Sequence, residues 1–176
     1  VERLLEAYRA ALEQVDVVCL QDYDKGVLAD TVCREMIRLG KAAGRKVLVD
    51  PVLQCDYRKY TGATLLTPNR VETSAAVGFE VREAADAVRA ARDLRDRLKL
   101  EAVVVTLDRE GLYLVTDSLG ELIPARPRHV YDVTGAGDVV LATLAVSLAA
   151  DNDYLTAAHL ANLAGGIEVE KFGTAT

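Results

Sequence analysis

The sequence predicts an α/β protein whose mostly parallel sheet is covered by helices on both faces. Short runs of apolar, largely β-branched residues recur along the chain and alternate with amphipathic stretches of helical length. The runs are apolar throughout, which is typical of parallel strands buried on both faces. No linker, low-complexity tract or repeat divides the 176 residues. At roughly 150 residues per domain, this length corresponds to one domain or a little more.

The elements follow from hydrophobic spacing and from residues that begin or end helices. Asp30 fits an N-cap, Gly44 a helix end, and Asp50-Pro51 and Pro68 close two of the strands. In the first half we predict a helix over 4–12, a strand over 17–20, a helix over 31–43, and strands over 46–49 and 64–67. In the second half we predict helices over 70–76 and 83–98, a strand over 102–106, a hairpin of 111–116 and 121–124, and helices over 138–150 and 153–171.

Polar residues follow four of the apolar runs. They are Asp22, Asp50, Asn69 and Thr106. Ligands of parallel sheets bind at the carboxyl ends of the strands, so we expect a site at that edge.

Composition excludes several classes of protein. With 21 basic and 27 acidic side chains the net charge is -6, which argues against binding nucleic acid or an anionic membrane surface. A local phosphate site is not excluded, because a few backbone N–H groups suffice. The longest apolar stretch, 139–150, is too short for a bilayer, which takes about 20 residues.

Targeting and metal signals are weak. No basic segment followed by an apolar one opens the chain, and a reducing cytoplasm is the expected location. The three cysteines, Cys19, Cys33 and Cys55, are odd in number and widely spaced, so we expect small core residues. His129 and His159 have no partner at metal or triad spacing, which favours surface or capping roles.

The strongest chemical signal is the segment over 131–138, which leads directly into an apolar helix. Gly135, Ala136 and Gly137 leave their backbone N–H groups unshielded, and with the helix dipole these groups can bind an anion. An ionised Asp138 on the first turn is favoured by that dipole and can take a proton from an attacking hydroxyl.

Other interpretations of this segment stay in view. A dinucleotide fingerprint fails because Val140 stands where the third glycine is needed, and no Gly-Lys-Ser/Thr follows for a Walker A loop. A tight turn with Thr134 or Asp138 as a plain N-cap remains an alternative.

Asn69 and Glu72 form a second signal at a helix start. Three positions apart, they could share a face and hold a hydrated Mg²⁺. The same pattern also describes a capping box, with Asn69 at the N-cap and Glu72 at N3, and on spacing alone the capping box is favoured.

These motifs resemble a known family. Asp-Val-Thr-Gly-Ala-Gly-Asp at 132–138 resembles the C-terminal signature of the ribokinase-like (PfkB) carbohydrate kinases, and Asn69-x-x-Glu72 resembles their magnesium motif. The segments at 22–26, 60–69 and 171–176 narrow the similarity to the kinase domain of bifunctional heptose-phosphate kinase/ADP-heptose synthase proteins. The resemblance runs nearly from end to end.

The resemblance implies specific roles for these residues. Asp138 would be the catalytic base for the sugar hydroxyl, and Gly135, Ala136 and Gly137 would supply the anion hole. Glu72, with Asn69, would help to hold Mg²⁺. The nucleotide would contact Thr106, Gly111 and Asn162, and Asp22 and Lys25 would lie near the cleft. Phosphoryl transfer asks a protein mainly for positioning and charge stabilisation, which fits this set.

The implied function is ATP- and Mg²⁺-dependent phosphorylation of a sugar, foremost a heptose 7-phosphate (D-glycero-β-D-manno-heptose 7-phosphate), with another PfkB sugar kinase as an alternative. A nucleotide-binding module without catalysis is a second hypothesis. It is motivated by departures from the subgroup pattern, chiefly Val52 and Asp108, with Val139, Glu168 and Glu170 as lesser ones. A nicotinamide-dependent dehydrogenase is disfavoured by the broken glycine fingerprint.

The start of the chain is unusual, because it opens on Val1 and its only methionine is Met36. Set beside the family, residues 1–176 are expected to be the C-terminal portion of a single ribokinase-like kinase domain, with the nucleotide site and the catalytic base. Contacts for the sugar, and for a homodimer of the complete protein, would then lie upstream, and this portion alone would not be expected to turn over sugar.

Overall fold

A computed structural model describes residues 1–54, 56–126 and 131–170. Within these residues the chain forms six strands, six α-helices and two short 3₁₀ turns. The strands are β1 (Val17–Gln21), β2 (Lys46–Asp50), β3 (Leu65–Leu66), β4 (Ala102–Thr106), β5 (Gly111–Thr116) and β6 (Gly120–Pro124). The helices are α1 (Glu2–Ala11), α2 (Asp30–Ala42), α3 (Arg70–Val77), α4 (Ala84–Leu98), α5 (Ala136–Ala149) and α6 (Tyr154–Glu168). The 3₁₀ turns span Arg58–Tyr60 and Asp108–Glu110.

The strands form one sheet in the order β1-β2-β3-β4-β5-β6. The first four strands run parallel. β5 pairs antiparallel with β4, and β6 pairs antiparallel with β5, so the two form a hairpin beside β4. The carboxyl ends of β1 and β2 are in register, because Gln21 lies opposite Asp50. The predicted α/β class with a mostly parallel sheet is therefore confirmed.

Two hydrophobic clusters cover the two faces of the sheet, because side chains of one strand alternate between faces. Val47, Val49 and Val103 belong to the cluster that contains residues of α2 and α4. Leu48 and Val104 belong to the cluster that contains residues of α5 and α6. β2 and β4 thus have no solvent face, which explains their apolar sequences. β1 lies at the edge of the sheet and Cys19 is exposed there, so the expected core position is wrong for Cys19 and confirmed for Cys33.

Several element boundaries differ from expectation. Ala29 is the N-cap of α2 and Asp30 is the first residue of the helix, so the N-cap assignment of Asp30 is wrong. Among the described residues no side-chain cap bond is formed at this helix start. β3 is only two residues long. Thr64 stands before it and Thr67 after it: the Thr64 hydroxyl accepts the Val47 N–H at 2.9 Å, and the Thr67 N–H donates to the Val49 carbonyl at 3.0 Å.

Some sequence expectations lie outside the described residues, namely those for Cys55, His129 and the closing segment 171–176. The last helix was expected to reach about residue 171, but α6 ends at Glu168 with Val169 as its C-cap, so the predicted end is about three residues too late. Among the helices that the structure describes, none is long and apolar enough to cross a membrane.

Candidate active site

Backbone hydrogen bonds join the carboxyl ends of neighbouring parallel strands. The N–H of Asp22, which follows β1, donates to the carbonyl of Asp50, the last residue of β2, at 3.0 Å. The N–H of Thr106, the last residue of β4, donates to the carbonyl of Pro68, which lies beyond β3, at 3.0 Å. The polar residues that follow each strand are thereby held along one edge of the sheet.

The start of α5 lies at this edge. Gly135 is its N-cap and adopts a left-handed conformation with φ of 84°, which glycine tolerates best. The N-cap is therefore a residue without a side chain, and neither Thr134 nor Asp138 occupies that position. A Cβ built on Gly137 would stand 4.0 Å from the Asp50 Oδ2, so α5 begins beside the end of β2.

This geometry suits an anion. The first N–H groups of an α-helix have no partner within the helix, and the helix dipole adds positive potential there. The Ala136 N–H donates to the Val133 carbonyl at 3.3 Å within the turn, while Gly137 and Asp138 follow on the exposed first turn. Small side chains at 135–137 leave this backbone accessible to a phosphoryl group.

The carboxylate of Asp138 is exposed and contacts the end of β1 through two side chains. The Gln21 amide donates to its Oδ1. The Tyr23 hydroxyl lies 3.3 Å from Oδ1 and 3.4 Å from Oδ2. A carboxylate that is both oriented and accessible can serve as a general base.

A second carboxylate, that of Asp50, lies near that of Asp138 and is more deeply buried. It accepts the Thr67 hydroxyl at 3.0 Å and the Gln21 amide at 3.4 Å. Burial, with the nearby Asp138 charge as a further cause, raises the pKa of Asp50 to about 6. The pKa is raised because few groups solvate the ionised form at this site.

Asn69 and Glu72 form the capping box that the spacing favours. The Asn69 side chain accepts the Glu72 N–H at 2.9 Å, and the Glu72 Oε2 accepts the Asn69 N–H at 2.7 Å. Burial raises the pKa of Glu72 to about 7, and the Asp50 charge contributes to the increase. The capping bonds occupy the Asn69 Oδ1 and one Glu72 oxygen.

The residues present fit a magnesium ion that is shared with a nucleotide. Glu72 and Asp50 are partly buried carboxylates whose ionised forms a cation would stabilise. Among the described residues no group of three or more His, Cys, Asp or Glu side chains is arranged to hold a metal ion. Mg²⁺ commonly takes one or two protein carboxylates and completes its octahedron with phosphates and water. Asn69 fits less well, because its side-chain oxygen caps α3.

The residues expected at the nucleotide lie along β4, β5 and α6. Thr106 ends β4, and its bridge with Asn69 joins it to the start of α3. Gly111 has φ of 104°, and a Cβ there would lie 2.1 Å from the Ile123 carbonyl oxygen, so the close approach of β6 requires glycine. The Asn162 amide donates to the Pro124 carbonyl at 2.9 Å, which joins α6 to β6.

Asp108, the acidic departure in the loop between β4 and β5, is paired. The Arg70 Nε donates to its Oδ2 at 3.1 Å, and the same guanidinium donates to Glu110 at 2.9 Å and to the Leu107 carbonyl at 3.2 Å. Arg70 thus pairs with Asp108, although the same guanidinium is shared with Glu110.

Asp22 and Lys25, the two residues expected near the cleft, lie in different environments. Asp22 is buried, with its Oδ2 2.6 Å from the Lys59 Nζ and 2.7 Å from the Tyr60 hydroxyl. Lys25 is exposed in the following loop. Their assignment to the cleft stays a prediction, since Asp22 itself is occupied by its buried partners.

Sequence reasoning missed Gln21 and the contacts of Tyr23 with Asp138. A usable signal existed, because both residues flank Asp22 at the end of an apolar run. A side chain beside a strand end in a parallel sheet faces the ligand edge whether or not its type looks catalytic.

Comparison with solved structures defines the class. The chain is similar to phosphofructokinase-2 from Escherichia coli in a crystal structure with potassium (TM-score 0.83, 20% identity, 98% of this chain and 57% of that chain). It is also similar to ribokinase from Arabidopsis thaliana complexed with ribose and ATP (TM-score 0.82, 22% identity, 99% of this chain and 55% of that chain). The fold is therefore ribokinase-like.

The family follows from the sequence. The chain belongs to the pfkB family of carbohydrate kinases, whose profile matches residues 2–176. Bifunctional protein HldE of Paramagnetospirillum magneticum is 48% identical over 174 residues, which is 98% of this chain and 36% of that protein. Bifunctional protein HldE of Mesorhizobium japonicum is 44% identical over 172 residues, which is 98% of this chain and 34% of that protein. The chain thus spans about a third of the length of these relatives.

Proposed function

We propose that this chain carries the nucleotide site and the catalytic base of a kinase that transfers a phosphoryl group from ATP to a sugar hydroxyl. The observation that carries the proposal is the placement of Asp138 on the open first turn of α5, next to the N–H groups at 135–137. A base and an anion site then adjoin each other, as in-line transfer to a hydroxyl requires.

The geometry and the family resemblance together support the following roles. Asp138 takes the proton of the attacking hydroxyl, and the first-turn N–H groups of α5 stabilise charge on the transferred phosphoryl oxygens. Glu72, with Asp50 beside it, would hold Mg²⁺ against the phosphates. When bound, that ion neutralises phosphate charge. Thr106, Gly111 and Asn162 would line the nucleotide along β4, β5 and α6.

The proposed acceptor is a heptose 7-phosphate, and the support is the similarity of the motifs at 22–26 and 60–69 to the heptose-phosphate kinase subgroup. Another sugar or sugar phosphate is the alternative. We also propose that residues 1–176 are the C-terminal portion of a single kinase domain, in a cytoplasmic protein that can form a homodimer. A nucleotide-binding module without catalysis is less well supported, because the candidate base Asp138 is present and accessible and Asp108 is paired with Arg70.

The test is Asp138→Asn in the full-length protein, assayed for ADP release with ATP, Mg²⁺ and a panel that includes heptose 7-phosphate, ribose and fructose 6-phosphate. Loss of a general base predicts that kcat falls by a factor of about 10² to 10⁴ while the KM for ATP stays unchanged. Asp117→Asn, in the exposed turn between β5 and β6, is the matched control and should keep wild-type turnover. Unchanged kcat in Asp138→Asn would remove Asp138 from the role of base.

A further inference from the structure

The structure assigns Gln21 and Tyr23 as positioning residues for the carboxylate of Asp138. This inference rests on the proposed function, in which Asp138 is the base. Gln21 lies outside every motif singled out in the sequence, and Tyr23 lies within the segment 22–26 without having been given a role. Both follow from the way in which the end of β1 meets the start of α5.

Gln21 is directed at Asp138 by the pleat of β1. Alternate residues of a strand share a face, and Val17, four positions earlier, packs against the hydrophobic cluster that α5 and α6 form. Gln21, the last residue of β1, therefore faces the same helix pair and lies at the first turn of α5. Its amide nitrogen donates to the Asp138 Oδ1 and lies 3.4 Å from the Asp50 Oδ2. One amide thus separates two carboxylates that would otherwise repel each other.

Tyr23 approaches the same carboxylate from the loop after β1. Its hydroxyl lies 3.3 Å from the Asp138 Oδ1 and 3.4 Å from Oδ2. Burial and the Asp138 charge raise the pKa of Tyr23, so the phenol stays protonated at neutral pH and acts as a donor. The ring is 60% exposed, so the hydroxyl reaches Asp138 without filling the core.

Asp22, which lies between Gln21 and Tyr23 in the sequence, fixes the backbone from which both side chains project. The Asp22 Oδ2 binds Lys59 and Tyr60, and its Oδ1 accepts the Asp24 N–H at 3.0 Å. The Asp22 N–H donates to the Asp50 carbonyl at 3.0 Å. The loop after β1 therefore has a defined path, and Gln21 and Tyr23 are presented to Asp138 by a rigid support.

The arrangement distinguishes the two oxygens of the base. Gln21 donates to Oδ1 alone, whereas the Tyr23 hydroxyl lies at nearly equal distances from both oxygens, 3.3 Å from Oδ1 and 3.4 Å from Oδ2. A hydrogen bond from Gln21 to one oxygen limits the rotation of the carboxylate. Oδ2, which does not accept from Gln21, is therefore the oxygen left to take the proton of the sugar hydroxyl.

The test compares Gln21→Met, Gln21→Glu and Tyr23→Phe with the wild type in the full-length protein. Each substitution removes a donor and keeps the approximate shape of the side chain. We expect kcat to fall about tenfold, the size of one hydrogen bond to a charged group, while the KM for ATP and the unfolding midpoint stay unchanged. Gln21→Glu should lose at least as much as Gln21→Met, because it keeps the shape and supplies only acceptors beside two carboxylates.

Matched controls are Gln14→Met, in the exposed turn after α1, and Tyr154→Phe, which removes a phenol that donates to Glu101 at 2.8 Å at the opposite end of the sheet. Both should keep wild-type kcat. Wild-type kcat in Gln21→Met and Tyr23→Phe, or a loss of kcat that only accompanies a lower unfolding midpoint, would overturn the assignment. If these variants match the wild type while Asp138→Asn is inactive, only this inference fails. If Asp138→Asn is itself active, the proposed base fails first.

Discussion

At the scale of single residues, the least expected feature is the buried ion pair between Asp22 and Lys59. Both side chains are less than 10% exposed, and their charged atoms lie 2.6 Å apart. Burial opposes ionisation of Asp22, but hydrogen bonds from Lys59 and Tyr60 outweigh it, and the pKa of Asp22 is lowered. A buried pair of this kind adds little net stability, but removing one partner leaves an uncompensated charge.

We therefore expect Lys59→Met to destabilise the fold by about 3–5 kcal/mol at pH 7, as measured by urea unfolding. The lowered pKa of Asp22 contributes stability above its ordinary range near 3.8, and that contribution is lost as the pH falls. The difference between Lys59→Met and the wild type should accordingly shrink at pH 3.

Two further variants control this prediction. Lys25→Met, on an exposed lysine of the same region, should change stability by less than about 0.5 kcal/mol. The double variant Asp22→Leu/Lys59→Met should regain part of the loss, since no charge is then stranded. An equal loss at pH 3 and pH 7 would contradict the electrostatic origin.

Residues of the site were predictable from sequence only where the signal is local. Gly135, Ala136, Gly137 and Asp138 are consecutive, so small residues at a helix start suffice to single them out. Gln21 contacts Asp138 across 117 positions of sequence, and no periodicity relates the two. Such contacts depend on how the helix crosses the sheet.

At the scale of elements, α3 shows how a capping motif and a metal motif coincide. The N-cap needs an acceptor at Asn69 and a carboxylate at Glu72, and the structure forms both bonds. The same bonds hold Glu72 at the carboxyl edge of the sheet, near Asp50, where its pKa rises to about 7. A sequence pattern cannot separate capping from the proposed metal role, because one conformation is compatible with both.

The raised pKa makes stability depend on pH. The folded state binds the Glu72 proton more tightly than the unfolded chain does, so stability falls as the pH rises from about 4.5, the ordinary value, to about 7. Glu72→Gln keeps the capping geometry and removes the titration. We expect urea unfolding between pH 5 and pH 7.5 to show a shallower loss of stability in Glu72→Gln than in the wild type.

Glu13→Gln, in the exposed turn after α1, is the control for removal of one carboxylate and should keep the wild-type pH dependence. Asp50, with its pKa raised to about 6, still titrates in every variant, so Glu72→Gln should retain part of the slope. Identical slopes in wild type and Glu72→Gln would show that Glu72 does not titrate in this range.

Among elements, long apolar or amphipathic segments were the most predictable. The strand over 102–106 and the longer helices match expectation because buried runs and helical spacing are set by the segment itself. Short elements were harder to predict. The strand expected over 64–67 exists, but only Leu65 and Leu66 form β3. The 3₁₀ turn at Arg58–Tyr60 was missed, because its buried side chains fix it rather than a local sequence pattern.

At the scale of the whole molecule, the parallel strands gather negative charge at one edge. Asp22, Asp50, Glu72 and Asp138 all lie at strand ends or helix starts there, in a chain of net charge -6. Only Asp22 among these four has a buried cationic partner in the part of the chain that the structure describes. The phosphates of a nucleoside triphosphate that approaches these carboxylates are repelled by them, and the positive potential at the start of α5 offsets this repulsion only in part. We therefore expect nucleotide binding to require a divalent cation between the phosphates and the carboxylates.

We expect MgATP to raise the unfolding temperature of the 176-residue chain. At a ligand concentration tenfold above Kd the stabilisation is about 1.4 kcal/mol, which corresponds to roughly 3–6 °C for a protein of this size. ATP with excess EDTA should give a much smaller shift, and so should NAD with Mg²⁺.

Asp138→Asn should keep the MgATP shift, because the base contacts the acceptor rather than the nucleotide, whereas Glu72→Gln should reduce it. An ATP shift that is equally large in EDTA would contradict the role of the acidic edge, and stabilisation by NAD instead of ATP would favour a dinucleotide site over a kinase site.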